Sequence, residues 1–193
     1  MIKREAKTHR SVRRTQRDLR NSLIELMKEK PILRISAKEI YEAADIGRTT
    51  FYAHYKDQYD LLEELETETI TQLEELFNRY VDSVKHKKKN ILDLTIEALN
   101  YIADNGSPLQ VLLSENGNLL FQKKFFSQYI IRLQKIMQNK SANQEDAYLY
   151  EGYSIYTVHG SIGLIQYWLK NKMHIPIPTL AKMLNNLRKD ILP

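Results

Sequence analysis

The sequence contains no cysteine, which removes disulfides and thiolate metal sites together. It has only 6 glycines and 5 prolines, and no β-alternating run of useful length stands out. It lacks any apolar stretch near the roughly 20 residues needed to span a bilayer; the segment IGLIQYWL is short and contains Gln166. The opening MIKREAKTHR is charged and has no apolar run of the kind a secretory signal needs. A Gly-rich phosphate loop, an H-E-x-x-H helix and a nucleophile elbow are all missing, and carboxylates pair only along solvated helix faces. These absences lead us to expect an all-helical protein of the cytoplasm, with no membrane contact, no metal, no cofactor and no catalysis.

What is present is an apolar fraction of 42%, enough for a packed core, and an uneven charge. Residues 1–58 hold 14 Lys/Arg against 8 Asp/Glu, a net of +6, while residues 59–193 hold 15 against 16, a net of −1. Most of the excess precedes residue 21: Lys3, Arg4, Lys7, Arg10, Arg13, Arg14, Arg17 and Arg20 face only Glu5 and Asp18. A basic end on a near-neutral body suits an anionic polymer bound at that end. A solvated tail is the alternative.

Periodicity divides the chain. Thr15 and Asp18 have N-cap and N3 spacing, so the first helix is expected from Thr15, with Leu19, Leu23, Leu26 and Met27 as its apolar stripe and Pro31 as its end. Residues 1–14 then form a basic arm, disordered when free. Ser36 and Glu39 make an S-x-x-E capping box for a second helix. Asp45-Ile46-Gly47 reads as a tight turn and RTTFYAHY as a short third helix. Asp57 and Asp60 repeat the capping spacing before a long fourth helix, Gln58 to Lys85. A lysine-rich loop, Lys85–Asn90, leads to helices at about Ile91–Asp104, from Ser107-Pro108, and at about Leu119–Gln138, Gln144–Asn171 and Thr179–Asp190. Turns are expected at Asn105-Gly106 and Asn116–Asn118. The expected architecture is all-α, with about nine helices: a three-helix helix-turn-helix head over residues 15–58 and a helical regulatory and dimerisation body over residues 59–193.

The functional signal lies in Ser36 to Lys56, SAKEIYEAADIGRTTFYAHYK. At 100° per residue, Phe51 and Tyr55 share one face of the third helix, while Thr49, Tyr52 and Ala53 lie toward the other and Thr50 at its edge. Such a helix can seat Phe51 inward and present a small, polar surface to a major groove. Its first turn, with Arg48, Thr49 and Thr50, offers backbone N–H groups to phosphate.

The stretch ISAKEIYEAADIGRTTFYAHYKDQYDLL resembles the signature of the tetracycline-repressor (TetR) family of bacterial regulators, over about residues 15–65. The tail YTVHGSIGLIQYWLKNKMHIPIPTLAKML resembles a C-terminal module of some members. The resemblance implies an all-helical homodimer that binds a palindromic double-stranded DNA operator, with a ligand pocket and the dimer interface in the body. It implies a ligand-responsive repressor; a protein-binding adaptor or coactivator on the same fold is the alternative. Carried over by position, Lys38, Arg48, Thr49 and Tyr52 match base contacts, and Thr50, His54 and Tyr55 match positions near the DNA backbone, although Tyr55 also suits a core. The family's usual lysine at the start of the fourth helix is replaced by Gln58, with Lys56 two residues earlier, and Tyr41 stands where a small residue is common.

In the body, Tyr148, Tyr150, Tyr153 and Tyr156 crowd one helix, as an aromatic pocket or as plain packing. Tyr101, Tyr129, Tyr156 and His159 are the candidate contacts for a small-molecule effector; His159 equally suits an interface. Gly152, Gly160 and Gly163 sit inside a helix, where each costs about 1 kcal/mol relative to alanine. With Tyr156, His159 and Tyr167 they fall within an arc of about 100°. We read this stripe as a dimer seam, with Trp168 as a nearby anchor.

Overall fold

The computed structural model describes residues 2–85, 90–104, 106–138 and 144–189. Among them are nine α-helices and one 3-10 turn, and no strand. In chain order they are α1 (Ile2–Glu29), the 3-10 turn (Ile32–Arg34), α2 (Ala37–Ala43), α3 (Arg48–His54), α4 (Gln58–Lys85), α5 (Ile91–Asp104), α6 (Gly106–Leu112), α7 (Leu119–Gln138), α8 (Gln144–Lys170) and α9 (Ile177–Lys189). Of the sequence expectations, the centre of the lysine-rich loop (86–89), Asn105 and the last residue of the final helix, Asp190, lie outside the described residues.

The first helix does not begin at Thr15. α1 runs from Ile2, and the basic segment is its N-terminal half. Residues 2–14 contain no glycine or proline, and 6 of the 13 are Lys or Arg, which favour helix. Asp18 caps nothing: its carboxylate pairs with Arg14 at 3.6 Å and Arg17 at 3.1 Å on the same helix. Of the expected stripe, Leu19, Leu23 and Met27 are fully buried and Leu26 is partly buried against the core; α1 packs on α2, α6 and α4.

α1, α2 and α3 form the head, and α4 leads from it into the body. There α7 packs along α8, and α5 along α9. α6 lies between these groups and touches α1, α4, α5 and α8. Its Leu109, Val111 and Leu112 belong to one core cluster that reaches from Leu19 in the head to Leu184 in α9.

The loop after α6 is fastened on four sides. Gln122 Nε2 donates to the carbonyls of Leu112 (3.0 Å) and Ser114 (2.8 Å), and Gln166 Nε2 to that of Leu113 (2.6 Å). These bonds satisfy carbonyls that a helix end leaves open. Asn116 Nδ2 donates to Lys28 O of α1 at 3.4 Å, and Asn118 Nδ2 to Glu66 Oε1 of α4 at 3.0 Å. Burial pushes the Glu66 carboxyl above its usual range, against the Asn118 bond. Gly117 has no alternative here. A Cβ would sit on the Leu112 carbonyl and 2.7 Å from that of Val111, both backbone atoms.

Candidate nucleic-acid interface

The head is assembled by short-range polar contacts around an aromatic core. Ser36 and Glu39 complete a reciprocal capping box: Glu39 N donates to Ser36 Oγ (3.3 Å) and Ser36 N to Glu39 Oε2 (3.0 Å). Lys30 Nζ reaches Glu39 Oε1 at 2.5 Å and ties α2 to the end of α1. The Lys30 hydrogen bond, with those from Ser36, draws the Glu39 carboxyl down to about 2. Between α2 and α3, Asp45 takes a left-handed φ of 54°, a conformation that aspartate tolerates better than most residues. α4 is opened by Asp57, whose Oδ1 accepts from Tyr59 N (2.8 Å) and Asp60 N (3.0 Å), while Asp60 Oδ2 accepts from Lys56 N (3.0 Å).

This frame aims α3. Phe51 is fully buried and meets Tyr41, Tyr52 and Tyr55 at centroid distances of 6.0, 5.3 and 5.8 Å. The bulk of Tyr41 is therefore absorbed as packing on Phe51. Arg48, Thr49, Thr50, Tyr52 and Ala53 are exposed, as the helical wheel requires. Tyr52 stays 49% exposed, held by the edge of Phe51 and by the Arg48 guanidinium 5.8 Å above its ring. Lys38 is exposed on α2, 3.7 Å from Glu42, and Lys56 is exposed past the end of α3; His54 is half-buried.

Tyr55 departs from the set. It is buried, and its hydroxyl donates to Glu64 Oε1 of α4 at 2.9 Å. Burial and the neighbouring Glu64 raise its pKa further. Of its two readings from sequence, the structure supports the core and not the DNA contact.

The second exposed feature is the outer side of α8 and α9. Gly152, Gly160 and Gly163 are exposed, with open space where a side chain would project. Tyr156 and Tyr167 stand beside them, 57% and 54% exposed. Ile155, Met183 and Leu187 are exposed too, and sequence reading passed over them. The signal was in α9, where Leu180 and Leu184 already fill the inner side, so that Met183 and Leu187 are left over. A groove of about 200 Å³ between α8 and α9 is lined by Tyr156, Thr157, Gly160, Ser161, Leu184 and Leu187, among others.

Trp168 is not part of this face. It is 1% exposed, and its indole N–H donates to Ile175 O at 2.8 Å. One step along the helix from Tyr167 turns it by 100°, from the outer side into the chain's own core. It closes the α8–α9 turn, where Lys172 and Met173 both hold left-handed φ values, 53° and 54°.

Residues 89–190, just over half of the chain, match the family model TetR_C_8, described as "Transcriptional regulator C-terminal region". The chain belongs to the TetR family of transcriptional regulators. Over 154 residues it is 25% identical to the HTH-type transcriptional regulator YxbF of Bacillus subtilis (strain 168); the match takes in 78% of this chain and only 38% of that relative. Among solved structures, the fold is shared with a TetR transcriptional regulator from Streptococcus agalactiae (TM-score 0.62, 19% identity, 95% of this chain and 98% of that one). It is also shared with NalD, the secondary repressor of the MexAB-OprM multidrug efflux pump in Pseudomonas aeruginosa (TM-score 0.66, 20% identity, 95% and 98%). Among the described residues, no helix is long and apolar enough to cross a membrane.

In this TetR-family body the four effector candidates have different surroundings. The Tyr101 hydroxyl donates to Gln72 Oε1 of α4 at 3.0 Å. Tyr129 packs between Phe77 of α4 (5.5 Å) and Phe125 (4.8 Å), and burial raises its pKa. Tyr156 faces the α8–α9 groove. His159 is exposed, with Nδ1 3.0 Å from Ile155 O and its ring edge-on to Phe126. Two side chains beside Tyr129 escaped sequence reading. Gln128 Oε1 and Arg132 Nη1 are buried and have no hydrogen-bond partner, while Arg132 Nη2 donates to Glu74 Oε1 at 2.5 Å.

Proposed function

We propose that the protein is a sequence-specific DNA-binding regulator that acts as a homodimer on a palindromic operator in the cytoplasm, by binding and not by catalysis. The observation that carries this reading is the outer face of α3. A short helix is fixed from behind by Phe51, and everything it exposes is small, polar or cationic. Arg48, Thr49 and Tyr52 face the base edges, with Arg48 best suited to guanine. Thr50, His54 and Lys56 lie toward the phosphates, and Lys38 reaches in from α2. The exposed side of α8 and α9 supplies the seam, because the space above Gly152, Gly160 and Gly163 accepts a facing helix at short range.

The test is fluorescence anisotropy of the full chain against genomic fragments at several salt concentrations. Binding should weaken with salt. Arg48→Ala and Tyr52→Ala should each cost about 1–3 kcal/mol of operator affinity while leaving the melting temperature unchanged. Equal affinity of mutant and wild type at fixed salt would remove α3 from the interface.

We further propose a small, at least partly apolar effector in the body, which the sequence reading puts between α5 and α8 and whose supporting side chains lie on α4 and α7. The ring cluster of Phe77, Phe125 and Tyr129 supports it, as do the unsatisfied atoms of Gln128 and Arg132, since buried polar groups ordinarily have partners. An effector that lowers operator affinity a hundredfold needs about 2.7 kcal/mol of coupling, and operator must weaken effector binding by the same factor. Calorimetry of a candidate effector, with and without operator, checks that equality.

A further inference from the structure

Where α7 meets α4, two polar atoms are left over. Gln128 Oε1 and Arg132 Nη1 are buried without a hydrogen-bond partner. They stand four residues apart on α7, so their side chains rise from one side of the helix, with Cβ atoms about 5–6 Å apart. They do not bond to each other. The first is an acceptor that lacks a donor, and the second a donor that lacks an acceptor. Buried polar groups in that state are few in folded proteins, and each costs stability.

Their surroundings narrow what can satisfy both. Positions 125, 128, 129 and 132 fall within an arc of about 100° on α7, so Phe125 and Tyr129 flank the polar pair. The Tyr129 ring is 4.8 Å from that of Phe125 and meets Phe77 of α4 edge-on at 5.5 Å. The Arg132 guanidinium lies over the Phe77 ring at 5.6 Å, and its other terminal nitrogen, Nη2, donates to Glu74 Oε1 at 2.5 Å. The charge of Arg132 is therefore already balanced by Glu74. A second carboxylate at Nη1 would stand beside Glu74 and be repelled, whereas a neutral carbonyl would not. Arg132 and Glu74 keep 27% and 35% of their side chains exposed, so the pair sits at the edge of the α4–α7 contact, open to a small molecule.

We propose that Gln128 and Arg132 are the polar end of a ligand site that takes a neutral amide on an aromatic body. The amide carbonyl accepts from Arg132 Nη1, and its N–H donates to Gln128 Oε1. Phe77, Phe125 and Tyr129 bound the apolar part. This rests on the reading of a small effector in the body and gives that effector a chemical class. A carboxylate of the same shape brings an unwanted charge and no donor, and a hydrocarbon brings neither half of the match.

The probes are benzamide, benzoate and ethylbenzene, titrated into the full chain by calorimetry. Benzamide should bind about tenfold more tightly than either of the others, the size expected for hydrogen bonds to buried groups. Gln128→Met keeps the bulk and removes the acceptor. It should weaken benzamide severalfold, leave ethylbenzene unchanged, and raise the melting temperature of the ligand-free protein, because an unpaired buried oxygen is gone. Glu74→Gln leaves both atoms in place but releases the Arg132 charge, and it should shift the preference toward benzoate. Equal affinity of the wild type for benzamide and ethylbenzene, tighter binding of benzoate, benzamide binding indifferent to Gln128→Met, or no binding of any probe would each overturn the proposal. Operator anisotropy at saturating benzamide tests the effector reading separately. An unchanged operator affinity would remove the regulatory role and leave the amide site standing. A probe that released operator with full strength in Gln128→Met would keep an effector in the body and place it elsewhere.

Discussion

The head and the outer side of α8 use their aromatic residues in opposite ways. In the head, Phe51 and Tyr55 turn inward, and Tyr52, the aromatic left outside on α3, is braced by Arg48 and Phe51. The entries of α2 and α4 are closed by side chains of their own segments, Ser36 with Glu39 and Asp57 with Asp60, while α3 starts at Gly47 with no side-chain cap. On α8, Tyr156 and Tyr167 point outward beside three glycines with nothing above them. Scattered exposed apolar residues are ordinary, but a continuous apolar face marks a contact surface. The contrast teaches that the head is complete within one chain, whereas the α8–α9 face has the character of half an interface.

The largest effect expected from this contrast comes from neighbours that point opposite ways. Trp168→Ala should destabilise the folded chain by about 3–5 kcal/mol, as a buried aromatic does on truncation. Tyr167→Ala should leave the monomer's stability almost unchanged and act on assembly. Denaturant unfolding at low protein concentration, beside sedimentation of both variants, checks the pair; similar unfolding losses would erase the distinction between the two sides of α8. Next comes Gly163→Leu. The monomer has room for the side chain, so folding should survive, while a close helix crossing should lose about 1–3 kcal/mol to overpacking. A variant that sediments as a full dimer at nanomolar concentration would move the seam elsewhere.

Smaller effects test how far the head is self-contained. Ser36→Ala removes the N-cap and should cost about 1 kcal/mol in thermal unfolding. The pH dependence has a definite sign. The folded-state pKa of Glu39 lies below its ordinary 4.5, at about 2. Its stabilisation is therefore fully present above pH 4.5 and is lost as pH falls toward 2. Glu39→Gln should therefore lower the melting temperature at neutral pH, approach the wild type as pH falls toward 2, and so flatten the acid limb over that window. The smallest expected change is a gain. Lys172 holds a left-handed φ, which strains a residue with a Cβ, so Lys172→Gly should raise the melting temperature by the equivalent of at most about 1 kcal/mol. An unchanged or lowered melting temperature would mean that the freedom glycine adds to the unfolded chain offsets the relief.

Much of the head was legible because its signals are local. A capping box, a turn and a buried Phe51 each depend on residues within one or two helical turns. The same locality misled at Thr15, where cap spacing occurs in mid-helix and Asp18 is taken up by Arg14 and Arg17. The glycines of α8 were legible as a stripe, since a wheel orders residues around one helix. The wheel alone does not say which side a second helix covers, and Trp168 was misassigned for that reason. Gln128 and Arg132 gave no sign at all, because an unsatisfied atom is defined by what surrounds it in space.

α4 belongs to both regions at once. Leu61, Leu62 and Leu65 anchor one end of it in the core near the head, and farther along Phe77 packs on Tyr129 of the body. Its 28 helical residues span about 42 Å. A helix of that length works as a lever. A tilt of about 5° at the body end would carry the other end through roughly 4 Å, more than the 3.4 Å between successive base pairs. On the proposed function, a repacking too small to alter the body's shape is thus large enough to put α3 out of step with its DNA site.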